Sequence, residues 1–406
     1  MIRGIYSSWK IPIAYFVSDN GVSHASLLLI VTEALKKLQE SKLSTIGIVC
    51  DLSSTNQKLF RNLGVEKAKP YFFVEEKKYY AFFDTPHLLK SIRNNFLHNN
   101  FMLNGQYICF SDIKKVYDID KKSSTGKALL KLTDKHLNPN CFQKMNVKLA
   151  AQLLSHSVYA AIMTALRTGE LVSATAENTA RFVETINNLF DALNSTRFHS
   201  TKPCNRALSD RNPEVITAIN NGYELIENLY KVGKNNKLTR PDSFDGFLLT
   251  INAVKQFAYD QRNGGFNYLF TGRLIQDPLE NQFSVYRQRG GYNRNPTVSS
   301  FRTAFKISIV SDFLRPSASA NAGSKADDDE NILVADNNEP FHLLNLDENS
   351  SSSESDDSDS SSSPSSTPAT EFRDEVTLEK CSVVYFAVYL VKKCWERFGC
   401  EDCESA

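Results

Sequence analysis

Residues 45–56 read Thr45-Ile46-Gly47-Ile48-Val49-Cys50-Asp51-Leu52-Ser53-Ser54-Thr55-Asn56. Thr45 to Cys50 is almost wholly apolar, which predicts a strand buried on both faces. Asp51 stands at its C-terminal edge. Ser53 to Asn56 are helix-capping residue types, so a short helix follows, and Gly64 ends it. Upstream, Ala25 to Glu40 places Leu27, Leu28, Val31, Leu35 and Leu38 at helical spacing, and Ile11 to Val17 reads as a further strand. Downstream, Tyr71 to Val74 and Tyr79 to Phe83 read as paired strands around the charged turn Glu75-Glu76-Lys77-Lys78. Strands alternating with helices predict an α/β sheet.

From about Phe101 to Arg240 the pattern changes. Val147 to Leu166, Ala176 to Leu193 and Pro213 to Val232 carry long helical periodicity, and strand signals fade. This predicts a mostly helical unit inserted into the chain. Helical patterning resumes over Ser243 to Tyr259, Asp277 to Gln288 and Val298 to Phe313. The segments expected are therefore 1–100, 101–240 as the insertion, 241–315, a linker at 316–370, and a C-terminal piece at 371–406 with one helix over Cys381 to Phe398. Twelve serines fall among the seventeen residues 350–366. So polar a tract cannot bury enough apolar surface to offset its ordering entropy and reads as disordered.

At 406 residues and 41% hydrophobic, the chain is long enough for two or three units. No run of eighteen apolar residues suggests a membrane span, and Met1 to Ile11 lacks the order of a signal peptide. Eight scattered cysteines suit reduced thiols better than a disulfide framework. The formal charge of +1 conceals a segregation, because residues 317–370 hold twelve acids and one base. The remainder carries 34 acidic and 46 basic side chains, a net charge of +12 compatible with a polyanionic partner.

Several constellations can carry chemistry. Asp51 ends a strand and Glu280 lies on a helix far along the chain; carboxylates gathered from rigid elements are what two-metal phosphoryl transfer requires. On spacing alone, ordinary helix-cap or surface roles are the better account of both. In Phe83-Asp84-Thr85-Pro86-His87-Leu88-Leu89-Lys90-Ser91-Ile92-Arg93, Lys90 and Arg93 share a helix face that can hold DNA phosphates; the alternative is a strand-to-helix turn capped by Asp84. Arg289 and Arg294, in Gln288-Arg289-Gly290-Gly291-Tyr292-Asn293-Arg294, form an arginine-bearing turn suited to phosphate. No phosphate-binding G-x-x-x-x-G-K-[ST] loop occurs, and Ser123 to Lys127 is too short to be one. Cys400 and Cys403 could supply half of a zinc site, but without a second pair an unliganded tail is the better reading. His156, in an apolar helix, reads as a core or interface residue rather than a ligand.

Taken in order, Trp9-Lys10-Ile11-Pro12, Gly47 to Asp51 with Asn56, Phe83 to Lys90 with Arg93-Asn94, Lys144-Met145-Asn146-Val147-Lys148-Leu149-Ala150, and Gln276 to Ser284 with Gly290-Gly291 and Asn295-Pro296-Thr297 resemble the P-element-type (THAP-family) DNA transposases. More loosely, Tyr385 to Tyr389 with Cys400 and Cys403 resembles that family's C-terminal segment. The resemblance implies an α/β, RNase H-like fold interrupted by a helical domain that binds GTP, with DNA as partner, self-association as an open option, no membrane, and a nuclear location. It implies that Asp51 and Glu280 are catalytic carboxylates for Mg²⁺. It also implies that Asp191 and Asn194 read guanine, and that Lys131, Val147 and Asp277 belong to the nucleotide pocket.

The chain also departs from that pattern. The family's first catalytic Asp lies on a first strand, whereas this sequence starts near the third, and no zinc module of the THAP type precedes it. Asp19 falls in the wrong place to substitute. The expectation is a transposase-like protein with little activity alone. The alternatives are a GTP-dependent DNA-associating module and an interaction scaffold with a phosphorylated Ser/Asp tract.

Overall fold

The computed structural model describes residues 1–314 except Ser8, Asp19, Asn20, Ser124, Thr125 and Arg294. The Ser/Asp-rich tract, the expected 381–398 helix, Cys400, Cys403, Asp19 and Arg294 lie outside the described residues.

The first sheet has the order β3-β5-β4, built from β3 (Gly47–Cys50), β4 (Tyr71–Val74) and β5 (Lys77–Phe83), with β1 (Ile2–Arg3) and β2 (Lys10–Ile11) forming a separate small hairpin. β3 runs parallel to β5, with Gly47 opposite Tyr80 and Cys50 opposite Phe83. Parallel neighbours need a crossover. Here it is α2 (Ser54–Asn62) followed by β4, which pairs antiparallel with β5 across the turn at Glu75 and Glu76. α1 (His24–Glu40) precedes β3, and the Ser23 hydroxyl caps it by accepting from the Ser26 N–H.

Two strand expectations change. Ile11 to Val17 contributes only its first residue to a strand, and Ile13, Phe16 and Val17 are exposed. β3 is half-buried throughout rather than covered on both faces, because its pairing is one-sided.

α3 (Thr85–Phe96) starts where β5 ends, with Asp84 as cap and Pro86 in the first turn. The 101–240 unit is mostly helical, but it contains a sheet that periodicity did not reveal. β6 (Asn100–Leu103) and β7 (Gln106–Ile108) form a hairpin, joined to β8 (Leu229–Val232) and β9 (Leu238–Thr239) in the order β7-β6-β8-β9. Asn104 and Gly105, at φ +50 and +80, supply the two left-handed residues of its tight turn. The helices between are α4 (Phe110–Lys121), the single turns α5 (Asp134–Leu137) and α6 (Cys141–Lys144), α7 (Val147–Leu153), α8 (His156–Arg167), α9 (Ala176–Leu193) and α10 (Pro213–Glu227). The helix expected over Val147 to Leu166 is therefore two, broken at Leu154 and Ser155. Its length and apolarity would suit a membrane, yet Ala150, Leu153, Val158 and Ile162 are buried in the core.

α11 (Asp242–Asn263) returns the chain to the first sheet, where the buried Thr250 hydroxyl accepts from the Phe83 N–H at 3.0 Å. One continuous apolar core runs from Leu59, Phe72 and Phe82 through Phe96 and Phe182 to Phe244 and Phe257. A smaller cluster of Tyr286, Ala304 and Phe305 joins the last two helices, α12 (Asp277–Arg289) and α13 (Val298–Leu314), with Tyr15 and Phe301 packed against it.

Candidate active site

Asp51 follows β3 directly, and its position is fixed locally. Its Oδ1 accepts from the Ser53 N–H at 3.0 Å and from Asn56 Nδ2 at 2.7 Å. Burial pushes its carboxyl up, but those bonds and the nearby His87 outweigh it and hold the group below its ordinary value.

Asp84 ends β5, the parallel neighbour of β3. It is 1% exposed, and it anchors two helices: Oδ2 accepts from the His87 N–H at 3.0 Å and Oδ1 from the Gln276 N–H at 2.7 Å. Burial raises its carboxyl above the usual range despite these donors. The Gln276 side chain also reaches back, Nε2 donating to the Val49 carbonyl at 3.4 Å. Since Gln276 immediately precedes α12, these contacts seat the start of that helix at the C-terminal ends of β3 and β5.

α12 then presents Glu280 to His87, with His87 Nε2 3.1 Å from Glu280 Oε1. The imidazole hydrogen bond draws the Glu280 carboxyl down, and that bond in turn raises His87. The same imidazole also lowers Asp51. Asp51 and Glu280 thus both lie at the C-terminal ends of β3 and β5, Glu280 bonded to His87 and Asp51 within the electrostatic reach of the same imidazole. Lys90, one turn along α3 and half-buried, adds positive charge felt by both Glu280 and His87.

Ionised carboxylates of this kind are the hard oxygen donors that Mg²⁺ takes, and each commits one oxygen to positioning. They fit a divalent ion as part of a ligand set. Among the described residues, no group of three or more His, Cys, Asp or Glu is arranged to hold a metal.

The remaining residues singled out by sequence fall elsewhere. Arg93 corrects the expectation of an exposed basic face. It is 0% exposed, and its Nη2 donates to the Lys144 carbonyl at 2.9 Å, with Nε on Asn94; it ties α3 to the residues before α7. Arg289 is exposed and reaches the Ala304 carbonyl on α13 at 3.5 Å. Asp277 opens α12, half-buried, one turn before Glu280.

Asp191 lies in the last turn of α9 and Asn194 is that helix's C-cap. Burial raises the Asp191 carboxyl, and Lys202, 3.5 Å away, opposes the shift. Val147 is buried at the start of α7, and Lys131 is exposed between α4 and α5. His156 is not a core residue. It opens α8 with its side chain 63% exposed and Nδ1 2.9 Å from Glu184.

The sequence reading missed Asp84, His87 and Gln276 as parts of the site. The signal was present in Asp84-Thr85-Pro86-His87, a capped helix start at the end of a strand, but nothing local reveals that Gln276 docks there. Lys202 was missed too, and no motif marks it.

Three family models match the chain: the TNP-like RNase H N-terminal domain over residues 1–64, the TNP-like GTP-binding insertion domain over 86–206, and the TNP-like RNase H C-terminal domain over 273–306. The Transposable element P transposase of Drosophila melanogaster is 28% identical over 322 residues, covering 76% of this chain and 40% of that protein. The DNA transposase THAP9 of Homo sapiens is 24% identical over 327 residues, covering 75% and 35%. This chain therefore spans well under half the length of the curated relatives it matches. The solved Drosophila P element transposase strand transfer complex aligns with a TM-score of 0.68 at 27% identity, over 77% of this chain and 70% of that one. Three domain models in the expected order, two transposase relatives and one matching structure agree with the geometry: the chain belongs to the P-element-type transposase family, with an RNase H-like fold interrupted by a GTP-binding insertion domain.

Proposed function

We propose that this chain is built for metal-assisted phosphoryl transfer on DNA, the chemistry of cleavage and strand transfer, with Asp51 and Glu280 as ligands for a divalent ion such as Mg²⁺. The observation that carries the reading is that these two carboxylates, remote in sequence, lie at the same end of the first sheet, Asp51 directly after β3 and Glu280 bonded to His87 on the helix that follows β5. Asp51 is kept ionised by Ser53 and Asn56. His87 orients Glu280, and Asp84 holds the helices that bear both residues. Once bound, the ion supplies Lewis-acid charge to the attacking and leaving oxygens. Lys90 and the exposed Arg289 are the phosphate-facing cations in this reading, with transposon-end DNA as the substrate. A two-metal centre gathers more oxygen ligands than these two carboxylates, so the chain alone is expected to cut slowly.

A nicking and strand-transfer assay with Mg²⁺ or Mn²⁺ tests the proposal. Mn²⁺ binding followed by electron paramagnetic resonance should weaken at least tenfold in Asp51→Asn and in Glu280→Gln. Unchanged Mn²⁺ binding in both variants would remove the assignment. Fast cutting that depends on both residues would remove only the expectation of low activity.

A second reading, a GTP-dependent DNA-associating module, is favoured by Asp191, whose side chain is only 15% exposed and faces Lys202 at 3.5 Å. A largely buried carboxylate facing one cation can accept from the N–H groups of guanine, with Asn194 beside it and Lys131, Val147 and Asp277 as further candidates. Calorimetry should show GTP preferred over ATP, and Asp191→Ala should abolish the preference. Equal binding of the two nucleotides by the unmodified chain would count against it.

A further inference from the structure

Asp191 shares one face of α9 with Glu184, two helical turns earlier. Against this helix lies the loop that ends in the short turn Pro203–Asn205. The loop is fixed by its own bonds. The Lys202 N–H donates to Ser200 Oγ at 3.2 Å, the Asn205 N–H to the Lys202 carbonyl at 3.0 Å, and Arg206 Nε to the Ser200 carbonyl at 3.2 Å. So anchored, it delivers the Lys202 ammonium to 3.5 Å from Asp191 Oδ2.

The groups facing Asp191 are Lys202 and Cys204 on this loop, Glu184 on its own helix and His156 at the start of α8. Burial pushes the Asp191 carboxyl up, Lys202 opposes it, Glu184 adds to the rise and His156 counters weakly. The Cys204 thiol is itself raised by burial and by these acids, so it brings no charge. His156 is engaged by Glu184, with Nδ1 2.9 Å from that carboxylate. Lys202 is therefore the cation that answers Asp191 directly.

Protonation decides which base edge such a side chain can meet. A carboxylate only accepts, whereas a carboxylic acid offers one donor and one acceptor. Guanine presents two donors side by side, its ring N–H and its exocyclic amine. Adenine presents an acceptor ring nitrogen beside a donor amine, the complement of the acid form. We infer that Lys202 is a positioning residue that sets base specificity, holding Asp191 as the acceptor of two hydrogen bonds so that the site takes guanine and refuses adenine. This deepens the GTP reading and rests on Asp191 as the residue that meets the base. Without the ammonium, the acid form gains as pH falls, and the preference for guanine should fall with it.

Calorimetry of the full chain with GTP and with ATP, at about pH 8 and about pH 6, tests this in the unmodified chain, Lys202→Met and Lys202→Arg. The unmodified chain should prefer GTP at both values. Lys202→Met keeps a long stem without the charge; it should retain the preference at the higher pH and lose at least tenfold of it at the lower. Lys202→Arg should restore the unmodified behaviour. His156, raised from 6.5 by Glu184, titrates across this interval in every variant, so comparison between variants removes its effect. Carbon-13 resonance of the Asp191 carboxyl should show a higher midpoint in Lys202→Met. A GTP preference that Lys202→Met keeps at the lower pH, or loses equally at both, overturns the role of Lys202 and leaves Asp191 as the base reader. No GTP preference by the unmodified chain at either pH overturns both.

Discussion

Asp84 accepts the main-chain N–H of Gln276 at 2.7 Å across 192 positions of sequence, and the same carboxylate caps α3 through the His87 N–H. One buried side chain thus sets the distance between His87 and the helix bearing Glu280. Asp84→Ala should lose about 1 kcal/mol for the cap and about 1–3 kcal/mol for the stranded Gln276 donor, roughly 2–4 kcal/mol in all. Asp84→Asn keeps an acceptor oxygen and should cost less. Urea unfolding reads both. If the two variants are equally mild, the Gln276 bond does little to hold α12.

The His87–Glu280 pair should give stability a pH window. His87 is raised from 6.5, so its contribution is fully present below 6.5 and is lost as pH rises through its higher folded value. Glu280 is lowered from 4.5, so its contribution is present above 4.5 and is lost as pH falls through its lower folded value. The pair therefore contributes most between the ordinary values of the two groups. Both side chains are partly exposed, which screens the effect and keeps it modest. Melting temperature against pH should show a shoulder in that interval, and Glu280→Gln should flatten it. A shoulder that persists in Glu280→Gln must come from other groups.

Arg93 should matter to folding rather than to DNA. Its guanidinium is fully buried, and burial lowers it to about 10. Its fork holds the Lys144 carbonyl and Asn94. Arg93→Ala should destabilise by about 3–5 kcal/mol, since it empties a large buried volume and strands those partners. Arg93→Lys cannot reproduce the fork and should also be unstable. The salt dependence of DNA binding by whatever remains folded should not change, whereas losing a true phosphate contact would reduce its slope by about one. Lys90→Ala is the comparison expected to reduce it.

These residues show where the sequence was legible. The run from Thr45 to Asn56 carried a strand, a carboxylate and a cap within twelve residues, and all three appear where expected, because each depends on near neighbours. Lys90 and Arg93 sit three apart on one helix, and spacing alone cannot tell which side faces solvent. That depended on the turn before α7, fifty positions away. The β6–β8 pairing eluded periodicity for a similar reason. Four-residue strands are too short to establish a period of two, and their partners are more than a hundred residues apart. Only the Asn104-Gly105 turn marked the hairpin locally. Ile11 to Val17 has the right composition for a strand but, after Ile11, no strand pairs with it among the described residues.

The end of α9, where Asp191 and Asn194 lie, is stitched to the approach of α12. The Ser195 N–H donates to Thr271 Oγ1 at 3.0 Å, Thr271 Oγ1 donates to the Ala192 carbonyl at 2.7 Å, and the Gly272 N–H meets the Ser195 carbonyl at 2.9 Å. Gly272 permits this closeness, because a Cβ there would fall 2.9 Å from the Ser195 carbonyl oxygen and 2.8 Å from Thr196 Cγ2. Main chain cannot step aside as a rotamer does. Gly272→Ala should therefore cost about 1–3 kcal/mol, and it should shift Asn194 and Gln276 relative to each other. Gly290→Ala, whose nearest contact would be 3.6 Å, should stay within about 0.5 kcal/mol. If the α9 end and the α12 start move as one unit, Gly272→Ala should weaken both GTP binding and Mn²⁺ binding, although it touches neither Asp191 nor Glu280. Loss of one without the other would show that the two candidate sites are mechanically independent.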